Sequence, residues 1–393
     1  MINIRNLFTN LFLLICLPLF SLPIQSENIT VIGIGRLGIC FALCLEKAGY
    51  NVLGVDLSPD YINQINSKKF QSSEPEVSHY LQESNNFRAT TSLEEAIDFS
   101  DIVFITLATP TTAGAEAYDH TFLSDLLTKI NSLAPANKHI VVCCTVFPGY
   151  LKNTATPLLQ NCINTTLSYN PAFIAQGNII YGLENPDMVL IGEGSKEAGD
   201  ILETIHNRIT QKSPSIARMS PESGEITKLA LNCFITMKIA YTNLVADIAD
   251  KTEGANKLDI LKAIGLDSRV GSKCLFPGYG FGGPCFPRDN RALSSYALLT
   301  GIEPTLFRAT DTTNQAHAQF QAQLLLDSGS DSYVFDDVCY KPRCPVPIIE
   351  ESQKLVVAKH IAEQGKEVVI TDREPVISEV QKSFGDLFKY LVK

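Results

Sequence analysis

The segment NITVIGIGRLGICFALCLEKAGYNVLGVDLSP, Asn28 to Pro59, restricts this chain more than any other stretch. Ile29 to Ile34 is an apolar, β-branched run that reads as a buried strand. It runs into Gly33-Ile34-Gly35-Arg36-Leu37-Gly38, a G-x-G-x-x-G turn. Leu37, Phe41, Leu45 and Ala48 then recur at three- and four-residue spacing, the apolar stripe of a helix, and Gly49 ends it. Tyr50 to Asp56 is the next strand. Strand, glycine turn, helix and strand in that order predict an α/β fold that begins with a doubly wound, dinucleotide-type sheet.

The turn carries chemistry as well as topology. Glycine at 33 and 35 permits a tight turn and lets a pyrophosphate approach the helix N-terminus, where free N–H groups and the helix dipole favour an anion. Asp56, at the tip of the second strand, is placed to accept hydrogen bonds from ribose hydroxyls. Its charge repels a 2′-phosphate, and DLSPD offers no adjacent Arg or Lys, so NAD is expected rather than NADP. The cofactor contacts expected here are Gly33, Ile34, Gly35, Arg36, Leu37, Gly38 and Asp56. The competing reading, a glycine turn that binds nothing, leaves the acid at the strand tip unexplained.

Length and composition set the surroundings. At 393 residues the chain needs two or three domains. A net charge of −10 with no Lys/Arg-rich run argues against a nucleic-acid surface. Its 11 cysteines form no CxxC pair or regular spacing, so no metal site is expected, and free thiols in a reducing compartment fit better than a disulfide framework. Residues 1–26 are an apolar segment with one early cation, Arg5, and an apolar run from Leu7 to Leu22. An export signal, a one-ended membrane anchor and an extension upstream of the true start all fit it. Membrane contact is expected only if it is retained, and the ligands expected for the rest favour the cytoplasm.

Further along, Ile102 to Leu107 reads as a strand ending in a Thr109-Pro-Thr loop, and NKHIVVCCTVFPG as another ending at Thr145. Both loops fall at strand C-terminal ends, where open α/β sheets bind ligands. Ser220 to Thr252 reads as one long helix with no interior proline. Ile226, Leu229, Cys233, Met237 and Ala240 make its apolar stripe, while Lys228 and Asn232 share another face, either solvated or lining a pocket. A helix this long usually bridges domains or subunits. After it, DSYVFDDVCYKP, IIEESQKLVVAKHIAEQG and KEVVITD read as strand, helix and strand, a second and smaller Rossmann-like unit. The expected domains are 27–212, dinucleotide-binding; 213–300, helical and central; and 301–393, a shortened Rossmann-like unit.

One stretch remains: YGFGGPCFPRDN, Tyr279 to Asn290, with a cysteine between prolines and an Arg-Asp pair behind it. Together with the glycine turn and Asp56, TVFPG, NPAF and the Lys228-Asn232 helix, it resembles the UDP-glucose/GDP-mannose dehydrogenase family, on its UDP-glucose side, from about Asn28 to Asp372. That resemblance implies NAD-dependent oxidation of a nucleotide sugar at C6 to the uronate. Two hydrides leave, with a cysteine thiohemiacetal and then a thioester between them. It makes Cys285 the nucleophile. Lys228 stabilises the oxyanions, and Asn232 holds the sugar or a water. Asp289 pairs with Lys228 or assists proton movement. Thr145 positions water near the nicotinamide, and Thr109 and Arg288 lie near NAD. Leu275, Phe276, Pro277, Gly278, Tyr279 and Gly282 match the segment cradling the nucleotide sugar. Phe173, Arg269 and Lys341 match further substrate contacts. A homodimer through the central helix is also implied.

The match has gaps. The family motif Asn-Pro-Glu-Phe is Asn170-Pro171-Ala172-Phe173 here, so the glutamate that serves acid-base chemistry and hydrolysis is gone. Gln176 stands where an acid is common. Glu350 stands where an Arg precedes Glu-Ser, with Arg343 the nearest cation. These departures motivate two other readings: a non-catalytic relative acting as a binding or regulatory dimer, and a single-step hydroxyacid dehydrogenase, which leaves GGPCFPRD unexplained.

Overall fold

The computed structural model describes residues 27–110 and 118–393. The apolar segment 1–26, and with it the question of export or anchoring, lies outside the described residues. The first sheet is built from β1 (Asn28–Ile32), β2 (Asn51–Val55), β3 (Phe87–Thr90), β4 (Ile102–Ile105), β5 (His139–Val142), β6 (Thr166–Tyr169), β7 (Met188–Gly192) and β8 (Ser215–Met219). Their order is β3-β2-β1-β4-β5-β6-β7-β8. Every neighbouring pair is parallel except β6 with β7. The order reverses between β1 and β4, and the crevice beyond their C-terminal ends is where such sheets take a ligand. β8 carries this sheet past residue 212, the expected boundary.

The strand core is dry. Ile29, Val31, Phe104 and Val141 pack against Ile39, Leu43 and Leu45 of the first helix (Arg36–Lys47). Burying side chains of this size stabilises by roughly 1.5–3 kcal/mol each, which holds the glycine turn at a fixed height above the strands.

The central helix (Pro221–Asp250) starts as its sequence demands: Ser220 accepts from the Ser223 N–H, and Pro221 fills the first helical position. Its 30 residues span about 45 Å. Leu229, Cys233 and Ala240 are buried as the stripe predicts, but Ile226 is exposed. Lys228 and Asn232 are buried, so theirs is not a solvated face. Helices Phe286–Leu299 and Thr305–Leu326 pack along it, with Leu229 and Cys233 meeting Ala292 and Leu293.

The second sheet is small. β9 (Ser332–Asp336), β10 (Glu367–Asp372) and β11 (Lys389–Val392) run parallel in the order β11-β10-β9. The strand expected across DSYVFDDVCYKP stops at Asp336. Asp337 takes a left-handed φ of 49°, and its carboxylate accepts the Arg343 N–H. The chain then loops out through Glu350 to meet the cysteine segment. The α/β class, the long-helix centre and the smaller second sheet are as the sequence predicts.

Candidate active site

The glycine turn is made of backbone and of missing side chains. Gly33 has φ 90°, and its N–H donates to the Val55 carbonyl at 2.8 Å. A Cβ at Gly38 would lie 2.2 Å from the Gly33 oxygen and 2.5 Å from Thr106 Oγ1, so only glycine fits. A Cβ at Gly35 would meet nothing within 4 Å, which leaves the turn open on its outer side. Open space over a helix N-terminus is what a pyrophosphate requires. Asp56 is half-buried at the end of β2, where it accepts the Ser58 N–H at 3.2 Å. These residues fit NAD: Gly33 to Gly38 under the pyrophosphate, Asp56 toward the ribose. Arg36, inside the turn, donates to Gln176.

The thiol sits at a different kind of turn. Cys285 caps the helix Phe286–Leu299, and its carbonyl accepts the Asp289 N–H at 2.8 Å. The preceding loop is fixed from the second domain, because the Gly283 N–H donates to the Glu350 carbonyl at 3.0 Å. A Cβ at Gly282 would lie 2.2 Å from the Glu351 oxygen. Cys285 itself is open to solvent, and among the described residues every cysteine is free. The protein around the thiol raises its pKa: desolvation dominates, Asp289 adds to it, and Glu350 contributes in the same direction. Arg288 and Lys228 oppose them by favouring the thiolate. The thiol and the ammonium of Lys228 therefore share one electrostatic environment with Asp289 and Arg288.

Lys228 is buried, and its Nζ donates to the Ala172 carbonyl at 2.8 Å while lying 4.4 Å from the centre of the Phe173 ring. Burial lowers its pKa below the ordinary 10.5, with Asp289 and Cys285 pulling the other way. The expected Lys228–Asp289 pair does not form as a direct contact, because the acid is already engaged. Asn232 Nδ2 donates to Asp289 Oδ2 at 2.7 Å, Tyr118 donates its hydroxyl to Oδ1, and Arg288 Nε lies 3.5 Å from Oδ1. Tyr118 is the one residue at this centre that the sequence does not announce. It stands singly in the sequence, with no spacing to connect it to residue 289.

Arg288 links the two halves. Its Nη1 donates to the Thr109 carbonyl at 3.1 Å, and its guanidinium lies 4.6 Å from the Tyr118 ring centre. Thr109 Oγ1 donates in turn to the Thr145 carbonyl at 2.7 Å. Thr109, Thr145 and Arg288 thus meet where the ends of β4 and β5 face the thiol. Buried Glu225, one turn before Lys228, accepts the Gly149 N–H at 2.6 Å and the Leu151 N–H at 2.8 Å. That tie holds the loop after Thr145 to the central helix.

Arg269 is on the surface, bound to Asp267 at 2.7 Å. Phe276 is 82% exposed and Leu275 is buried. Lys341 lies 5.7 Å from the Tyr340 ring centre, and Lys354 lies 5.7 Å from that of Tyr279.

Two family models match this chain: the NAD binding domain of the UDP-glucose/GDP-mannose dehydrogenase family over residues 27–210, and the central domain of the same family over 222–316. The chain belongs to that family. The glycine turn and Asp56 fall in the first match, and Lys228, Asn232, Cys285 and Asp289 in the second. A UDP-glucose 6-dehydrogenase of Rickettsia bellii is 30% identical over 291 residues, 73% of this chain and 67% of the relative. A GDP-mannose 6-dehydrogenase of Pseudomonas aeruginosa is 27% identical over 360 residues, 88% of this chain and 81% of the relative. In fold, the chain is similar to a UDP-glucose dehydrogenase from Pyrobaculum islandicum, with a TM-score of 0.84 at 24% identity over 93% of this chain and 86% of that one. As a member of the family it is an NAD-dependent nucleotide-sugar dehydrogenase.

Proposed function

We propose that the chain oxidises the C6 alcohol of a nucleotide hexose, UDP-glucose first among them, to the carboxylate through a covalent adduct on Cys285. The observation that carries this reading is the hydrogen-bonded centre on the helix that Cys285 opens: Asp289 accepts from Asn232 and Tyr118, and Lys228 lies buried one helical turn from Asn232. NAD supplies the hydride acceptor for each of two oxidations. The protein supplies the rest. The thiol adds to the aldehyde carbon, which keeps that carbon in place for the second oxidation, and the resulting thioester is released by water. The Lys228 ammonium stabilises oxygen as it gains charge, in a site dry enough to make one cation effective. Asn232 is held by Asp289 with its amide carbonyl free to orient a hydroxyl or a water.

Hydrolysis needs a base. Ala172 offers only its backbone carbonyl, which Lys228 occupies. The carboxylates that act on the thiol are Asp289 and Glu350, and Tyr118 and Asn232 already engage Asp289. Glu350, whose backbone carbonyl holds Gly283 two residues before Cys285, is the candidate base for thioester release that this reading adds. NADH formation over a panel of nucleotide sugars tests the function. The expected result is turnover with at least one of them, and NAD binding without NADH from any would remove the proposal. Intact-mass analysis of Glu350→Gln during turnover should show a sugar adduct that is absent from Cys285→Ala.

We also propose a homodimer through the central helix. Phe234, Tyr241, Leu244 and Ile248 are exposed, and with Met237 they repeat at three- and four-residue steps on the side of the helix away from Lys228. A seam of that period is built to meet another helix. Tyr241→Glu should convert the dimer to a monomer in sedimentation velocity.

A further inference from the structure

His317, on the helix Thr305–Leu326, is buried, and each of its ring nitrogens faces an oxygen. Nδ1 lies 2.8 and 3.0 Å from the two carboxylate oxygens of Asp247 on the central helix. Nε2 lies 2.7 Å from the Gly278 carbonyl oxygen. A carboxylate and a peptide carbonyl can only accept, so both contacts are hydrogen bonds only when both ring nitrogens carry protons. A neutral ring would set a lone pair against one of the two oxygens inside the protein, where an unmade hydrogen bond is costly. The geometry points to an imidazolium clamped between Asp247 and Gly278.

The clamp is part of a larger arrangement. Gln321 Nε2 also donates to the Gly278 carbonyl, at 3.1 Å. Asn243 accepts the Gly278 N–H at 3.0 Å and donates to the Tyr279 carbonyl at 3.4 Å. Asn314 holds Phe281 by both its N–H and its carbonyl, each at 2.9 Å. Four side chains from two helices therefore fix the backbone from Gly278 to Phe281, four residues ahead of Cys285. The His317–Asp247 pair is the charged member of that set, and charge-assisted bonds are about twice as strong as neutral ones. The Gly278 oxygen is turned inward to it, which leaves the opposite side of the loop, with exposed Phe276 and Tyr279, to face outward.

We propose that His317, as an imidazolium held by Asp247, is a positioning residue that sets the Leu275–Tyr279 loop for the nucleotide sugar. This rests on the assignment of that loop to the sugar under the proposed function, so the test has one arm that needs no turnover. Ring ¹⁵N–¹H correlation spectra at neutral pH should show both nitrogens of His317 protonated in the wild type. In Asp247→Asn the ring should be neutral. A neutral wild-type ring overturns the proposal. In the second arm, His317→Gln should raise KM for the nucleotide sugar by about tenfold, from the loss of a charge-assisted hydrogen bond, while KM for NAD stays within about twofold. Amide exchange across residues 275–281 should quicken at the same time. Asp247→Glu, which keeps the charge, should retain most of the affinity that Asp247→Asn loses. Equal changes in both KM values, or unchanged exchange in the loop, would reduce His317 to a packing residue. A protein whose ring is cationic but which oxidises no nucleotide sugar would sink the substrate reading and leave the clamp standing.

Discussion

The glycine turn and the thiol cluster are made in opposite ways. The turn is contiguous in sequence, built from backbone, and defined by side chains that are absent: its key position, Gly38, has an oxygen 2.2 Å from where a Cβ would be. The thiol cluster draws Tyr118, Lys228, Asn232, Cys285 and Asp289 from segments up to 171 positions apart, and it is defined by functional groups that are present, with Asp289 accepting from both Tyr118 and Asn232. A site of the first kind fails when anything is added. A site of the second kind fails when a single group is removed, and its parts do not act additively.

Removing the nucleophile should separate the two regions most cleanly. Cys285→Ser should lower nucleotide-sugar turnover by about a thousandfold or more, since an alcohol is a far weaker nucleophile than a thiolate. NAD binding, measured by calorimetry, should change by less than about twofold, because the turn and the thiol share no side chain. A large loss of NAD affinity in this variant would show that the regions are not separable.

The reverse experiment adds atoms to the turn. Gly38→Val should weaken NAD binding by about a hundredfold, because the new side chain must displace the Gly33 carbonyl or Thr106 and so moves the N–H groups that face the pyrophosphate. It should also cost about 1–3 kcal/mol of stability by overpacking. The ring spectrum of His317 and the reactivity of Cys285 should stay as they are. Equal damage to both regions would mean that the sheet, not the turn, is what the added atoms disturb.

The same contrast decides what the sequence shows. Asn28 to Asp56 can be read because every constraint is local: the apolar period, the glycines and the acid lie within one βαβ unit. Cys285, Lys228, Asn232 and Asp289 could be nominated one by one from their motifs, but not their wiring. Asp289 bonds Asn232 and Tyr118 rather than Lys228, because a buried acid takes the donors that reach it first, and no spacing in the sequence encodes which those are. Tyr118 is unseen for the same reason. So is the His317–Asp247 clamp, two isolated residues 70 positions apart whose meaning lies in the Gly278 carbonyl on the far side of the ring. Arg269 is nominated from its motif in the same way, and its guanidinium pairs with Asp267 on the surface.

The smallest effect probes the wiring directly. Alkylation by iodoacetamide reports thiolate, so its rate at Cys285 should rise with pH, with a midpoint above the ordinary thiol value of 9.0 because the surrounding protein desolvates the thiolate and Asp289 opposes it. Lys228 and Arg288 lower that midpoint. Removing the cation in Lys228→Met must therefore push it higher still and slow alkylation at mildly alkaline pH. Asp289→Asn removes a group that disfavours the thiolate and must move the midpoint down and speed the reaction. Changes of roughly three- to tenfold in rate, where thiolate is the minor form, are the scale for single charges near a partly open site. Faster alkylation in Lys228→Met would mean that the ammonium does not act on this sulfur. The thiol would then be just another exposed cysteine at the start of a helix.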